Sequence, residues 1–130
     1  MFSHVTIGAN DIAATKRFYD ATLGALGVPP GEIDVRGRLI YNHAGGRLLI
    51  TNPLNGEPTH GGNGHTLGFQ ATSPAEVDAW HAAGLAHGGT AIEDAPGERH
   101  PPDGRVLYLA YLRDPSGNKL CGFHLARLKA

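Results

Sequence analysis

Eight histidines and one cysteine carry the most versatile side-chain chemistry of this 130-residue chain. An imidazole can ligate a metal or move a proton near neutral pH, and a thiolate can ligate or attack. With no second cysteine, Cys121 has neither an internal disulfide nor a multi-cysteine zinc site open to it. As a nucleophile it needs a base or a positive group to depress its pKa; otherwise a single thiol in a strand is a small core residue. His60 and His100 lie in Gly/Pro-rich loops, His81 and His87 on or after a helical stretch, and His43 and His124 near strand ends. Solvated surface positions suit most of these. The twelve acidic residues fall mostly in caps, helices and loops, among them Asp11, Asp20, Glu57, Glu76, Asp78, Asp103 and Asp114. No paired carboxylates for acid–base work are apparent. Gly61-Gly62-Asn63-Gly64 precedes a strand rather than a helix, so it lacks the context of a phosphate loop.

The elements that must position these residues follow from periodicity. Phe2 to Ala9 alternates, with Val5 and Ile7 on one face and His4 and Thr6 on the other. Asn10 and Asp11 offer cap chemistry, and Ile12, Tyr19, Leu23 and Leu26 give a helical stripe ended by Gly24 and Gly27. A short strand is expected near Ile33 to Arg36. Arg38 to His43 and Arg47 to Asn52 flank Ala44-Gly45-Gly46 as a hairpin. Asn52 to Asn63 reads as a connection. Thr66 to Ala71 is a strand again, and Ser73-Pro74-Ala75-Glu76 opens a second helix whose stripe is Val77, Trp80, Gly84 and Leu85. Thr90 to Glu93 is expected as a short strand and Ala95 to Gly104 as a long loop. Val106 to Leu112 and Lys119 to His124 are the last strands, joined by a turn at Asp114 to Gly117.

The order is strand, helix, several strands, twice. Sliding the chain on itself by 62 positions pairs Ala9 with Ala71, Ala13 with Ala75, Ala21 with Ala83, Leu23 with Leu85 and Gly27 with Gly89. Phe18 then meets Trp80. Farther along, Gly45 parallels Gly117 and Leu49 parallels Cys121. Composition agrees with one ordinary globular domain: 41% hydrophobic and 18% charged residues place the chain outside the disordered class. A net charge of −1 excludes a strongly basic nucleic-acid binder. No apolar run approaches the roughly 18 residues of a membrane span. Met1-Phe2-Ser3-His4 shows no export signal, so a cytoplasmic location is expected.

Ser3-His4-Val5-Thr6-Ile7, Arg17-Phe18-Tyr19-Asp20 and above all Arg113-Asp114-Pro115-Ser116-Gly117-Asn118-Lys119-Leu120 resemble the vicinal oxygen chelate superfamily. That superfamily includes glyoxalases, bleomycin-resistance proteins and extradiol dioxygenases. The resemblance implies an α+β fold of two tandem βαβββ modules, about 1–56 and 63–126 of one domain, forming a curved mixed sheet around a central cleft. It also implies four metal-ligand positions. His4 matches the first. Leu49 falls where a carboxylate is expected, Thr66 where the second module opens, and Cys121 where the signature ends in Glu. His65 becomes a third donor beside His4 and Cys121 only if its strand is bulged, since a one-residue slip reverses the face.

One divalent ion (Zn, Ni, Fe or Mn) is the implied cofactor, yet three donors of this kind are a thin set and a metal-free cleft is favoured. The cleft is expected to be lined by His4, Leu49, Thr66, Cys121 and one of Tyr108 and Tyr111, which alternation places on opposite faces. The implied function is binding of a small, partly apolar organic molecule with a degenerate metal site. The alternatives are a metal-dependent lyase, isomerase or dioxygenase, which stabilises an anion on the ion, and a metal-free enzyme using Cys121 or His4. A homodimer is implied, with no nucleic-acid or membrane partner.

Overall fold

The computed structural model describes residues 1–128. Its elements are β1 (Val5–Gly8), α1 (Ile12–Gly24), β2 (Glu32–Ile33), β3 (Leu39–His43), β4 (Gly46–Thr51), β5 (Leu67–Gln70), α2 (Pro74–Ala86), β6 (Thr90–Arg99), β7 (Val106–Arg113) and β8 (Lys119–Arg127). Both helices begin where their caps dictate. Asp11 Oδ1 accepts from the Ala14 N–H at 3.0 Å, and Ser73 Oγ accepts from the Glu76 N–H at 3.1 Å. The Glu76 carboxylate reaches back to the Thr72 N–H, so the second cap is reciprocal.

The strands form two four-stranded mixed sheets, ordered β1-β4-β3-β2 and β5-β8-β7-β6. In each, the first strand of the module pairs parallel to its last. Thr6 lies across from Leu49 in one sheet and Gly68 across from Cys121 in the other. The repeat seen in the residues is therefore a repeat in space: β1 and α1 recur as β5 and α2 at the same 62-position offset, and Leu49 and Cys121 hold equivalent sites.

The core lies between the helices and the sheet faces that pack on them. Phe18 and Tyr19 of α1, Trp80 of α2, Leu39 and Ile50 of the first sheet, and Leu112 and Leu120 of the second are fully buried in one cluster. Close helix contact depends on Gly84. A Cβ there would stand 2.3 Å from Leu112 Cδ1 and 3.3 Å from both Phe18 and Thr22. Helix α2 consequently buries Gly84 and leaves its neighbour Leu85, expected in the stripe, 47% exposed.

One expected loop is a strand. β6 runs on to Arg99, pairing Gly97 with Leu109 and Arg99 with Leu107 after a register break at Ile92/Gly97. Glu93 to Pro96 stand opposite Ala110 alone, a wide bulge that takes up Pro96 and places Glu93 at φ 57°. The Pro and Gly of this stretch mark the bulge rather than an end to pairing.

The halves are joined by the turn between β7 and β8. Asp114 is only 3% exposed. Its Oδ1 accepts from the Ser116 and Asn118 N–H groups at 2.9 and 3.0 Å, closing the turn. Its Oδ2 accepts from the Tyr19 hydroxyl at 2.6 Å and from Asn118 Nδ2 at 2.8 Å, reaching helix α1 of the first module. Asn118 Nδ2 also donates to Gly8 O, and the Asn10 N–H donates to Ser116 Oγ. The sequence run that carries the strongest family resemblance is thus a clasp between modules.

Asp114→Ala leaves several buried donors unsatisfied and is expected to cost about 3 kcal/mol or more, whereas Asp114→Asn keeps one acceptor oxygen and costs roughly half as much. Urea unfolding of the three proteins checks the order. A second prediction concerns alkali. Burial and then Asp114 push the Tyr19 phenol well above its usual 10.0, and burial with Asp20 raises Tyr41 likewise. Both phenols stay neutral in the folded state, so their contribution to stability is present below about pH 10 and lost as pH rises beyond it. Tyrosinate absorbance from these two residues is expected to appear with the loss of circular dichroism, not before it.

Candidate functional site

Each sheet turns its second face away from the helices. On the second sheet this face is a ladder of cross-strand pairs: Arg113 with Lys119, Tyr111 with Cys121, Leu109 with Phe123 and Leu107 with Leu125. Leu107, Leu109, Cys121, Tyr111 and Phe123 pack together as an apolar cluster separate from the main core. On the first sheet Thr6, Leu49 and Ile40 are neighbours on the equivalent face.

The expected site residues fall into three groups. Cys121, Tyr111 and Thr66 belong to the second sheet or its entrance, with Cys121 and Tyr111 directly opposed. Leu49 lies on the first sheet and is 8% exposed. His4 precedes β1 on that side, is exposed, and its Nδ1 pairs with Ser3 Oγ at 2.7 Å. Tyr108 lies elsewhere. Its hydroxyl donates to Asp78 Oδ1 of α2 at 2.8 Å, so it faces the helix side and Tyr111 is the tyrosine of the open face. His124, across the ladder from Tyr108, likewise turns to Ala71 O.

Among the described residues His65, His4 and Cys121 do not gather as a set of three metal donors. β5 pairs with β8 in unbroken register from Leu67↔Leu120 to Gln70↔Phe123, and His65 precedes that paired stretch. Its ring instead rests on Gly62, where a Cβ would come within 2.4 Å of Cε1. The four positions that the fold would use for an ion therefore hold an exposed imidazole, an aliphatic chain, a hydroxyl and a thiol. Among the described residues no three His, Cys, Asp or Glu gather closely enough to hold a metal. This donor set does not fit a resident divalent ion, which wants three or four compatible ligands.

Cys121 is also a poor nucleophile. Burial pushes its thiol up to about 11; the Tyr111 hydroxyl beside it pulls the other way without offsetting burial, and Glu93 adds to the rise. A thiol held protonated at neutral pH packs; it does not attack.

One part of this face is not among the expected site residues. A depression of about 240 Å³ at its end is lined by Gly62, Asn63, Gly64, His65, Thr66, Arg113 and Lys119. Strand alternation alone puts Arg113 and Lys119 in line with Tyr111 and Cys121, a signal masked by the turn signature Asp114 to Gly117 that lies between them. A second depression, about 410 Å³, lies between Ala9, Asn10, Asn52, Pro53 and Gly56 to Pro58, away from both ladders.

Comparison with known proteins agrees with this architecture. The family model for the glyoxalase/bleomycin resistance protein/dioxygenase superfamily matches residues 1–121. A glyoxalase/bleomycin resistance protein from Albidiferax ferrireducens T118 is 54% identical, covering 95% of this chain and 98% of its own, with a TM-score of 0.89. A family enzyme from Burkholderia phytofirmans PsJN shares the fold at 22% identity, 95% and 97% coverage and a TM-score of 0.72. Lactoylglutathione lyase from Agrobacterium tumefaciens does so at 23% identity, 95% and 92% coverage and a TM-score of 0.63. Among curated proteins none matches the chain. With the model spanning 121 residues and two βαβββ modules in place, this chain belongs to the glyoxalase/bleomycin resistance protein/dioxygenase superfamily.

Proposed function

We propose that this protein binds a small, partly apolar organic molecule on its open sheet face and does so without a resident metal. The observation that carries the reading is the second ladder. On the side of the sheet opposite the helices, half-buried Tyr111 and Phe123 and exposed Leu125 present apolar area beside the buried Leu107, Leu109 and Cys121. The part of it left to solvent gains by being covered, and an apolar wall with few polar groups is what an organic ligand needs. Leu49 and Thr66 at ligand positions remove donors while preserving shape. Binding rather than turnover follows, because the face offers no activated thiol and no carboxylate pair. Phe2 and Leu125 are exposed at 80% and 37% and supply apolar surface for a second copy. We propose a homodimer as the working form, its partner helping to enclose the ligand, and a cytoplasmic location.

The metal-dependent lyase, isomerase or dioxygenase reading rests on His4, the one position that matches. Mass-spectrometric metal analysis separates the two on protein purified without a metal-affinity tag or chelator. Far less than one ion per chain is expected, with no change in His4→Ala or Cys121→Ser and with both variants folded. One ion per chain, lost in both variants, would restore the enzyme.

A further inference from the structure

We infer that the ligand is an organic monoanion, a carboxylate with an apolar body, and that Arg113 and Lys119 receive its charged group. The inference rests on the open face of the second sheet being the binding surface, and it specifies what that surface selects. The ladder is graded along its length. It begins with the Arg113–Lys119 pair, passes through Tyr111–Cys121, and ends in Leu109–Phe123 and Leu107–Leu125. At a rise of about 3.4 Å per residue, Arg113 to Leu109 spans roughly 14 Å, the reach of a medium-length chain or a substituted ring. A ligand lying along the strands meets positive charge at one end and, at the other, the hydrocarbon of half-buried Phe123 and exposed Leu125 beside the buried Leu109 and Leu107.

The charged end is built rather than incidental. Gly61 (φ 82°) is pressed on the β7–β8 turn so closely that a Cβ would fall 2.1 Å from Gly117 O, and Gly62 (φ 70°) abuts the His65 ring. These contacts fix the loop that walls the 240 Å³ depression. Arg113 Nη1 donates to Gly117 O at 2.7 Å, which anchors the guanidinium through one nitrogen and leaves the rest of its fork for a ligand. Lys119 Nζ sits 4.9 Å from the centre of the Tyr111 ring and pairs with Glu93, the residue that the β6 bulge holds at φ 57°. Both cations are therefore held in place before a ligand arrives, which lowers the ordering cost of binding.

The charge balance selects the ligand class. Arg113 and Lys119 supply two positive charges and Glu93 one negative, leaving one in excess on a chain whose net charge is −1. A single carboxylate neutralises that excess and matches the planar fork of Arg113.

Calorimetric titration with octanoate and with 1-octanol tests this, with amide chemical shifts locating the ligand. Octanoate is expected to bind about tenfold or more tightly than the alcohol, as a charge-assisted hydrogen bond warrants. Lys119→Met and Arg113→Gln should each erase most of that preference while leaving affinity for the alcohol unchanged. In the wild type, raising salt should weaken octanoate and spare the alcohol, a readout that needs no variant. Equal affinity for the two probes on the Leu107–Leu109 face overturns the inference and leaves the binding function standing. A preference that survives both substitutions overturns the assignment to these residues. No binding of either probe overturns both the inference and the function on which it rests.

Discussion

The Asp114 carboxylate accepts hydrogen bonds from its own turn and from Tyr19 of the opposite module, and the rest of the architecture leans on that contact. Two βαβββ units of this size each bury a modest share of their surface, so a core shared between them adds much of the burial. Their shared core of Phe18, Trp80, Ile50 and Leu112 requires α1 and α2 to meet at a fixed angle. Gly84 permits the approach, and the clasp from Asp114 and Asn118 to Tyr19 and Gly8 fixes it. With one face of each sheet committed to that core, the second sheet packs a smaller cluster of Leu107, Leu109 and Cys121 on its other face.

That arrangement shapes the site. Because the same turn closes β7 onto β8, it also sets the register that lines up Arg113 with Lys119 and Tyr111 with Cys121. One structural device thereby orders the charged, phenolic and apolar zones of the ladder. The fold supplies the wall, and the side chains on it decide between metal chemistry and binding. In this chain the positions in question hold an aliphatic Leu49, a hydroxyl at Thr66 and the buried thiol of Cys121, and the proposal of binding rests on that set.

Much of this was legible in the residues. The spacing of Val5, Ile7, Phe18 and Leu23 against Leu67, Phe69, Trp80 and Leu85 located both strands and both helices at the right offset, and the hairpin alignment paired Leu49 with Cys121. What was not legible has physical causes. Pro96 and Gly97 look like a loop because a bulge uses the same residues that end a strand. Leu85 looks buried by periodicity, but close helix packing needs the small Gly84 there instead. Tyr108 and Tyr111 cannot be told apart by alternation until one knows which face the helix covers, and the Asp78 contact is long-range. His65 depends on register at a strand entrance, which single-sequence patterning does not resolve.

The central claim is that the open face of the second sheet is where this protein meets its ligand. Amide chemical-shift mapping against a panel of small apolar organic molecules addresses it most directly. Perturbations are expected to cluster at Leu107, Leu109, Tyr111, Cys121 and Phe123. Perturbations confined to the depression at Asn10, Asn52 and Pro53, or to the outer face of α2, would contradict the account.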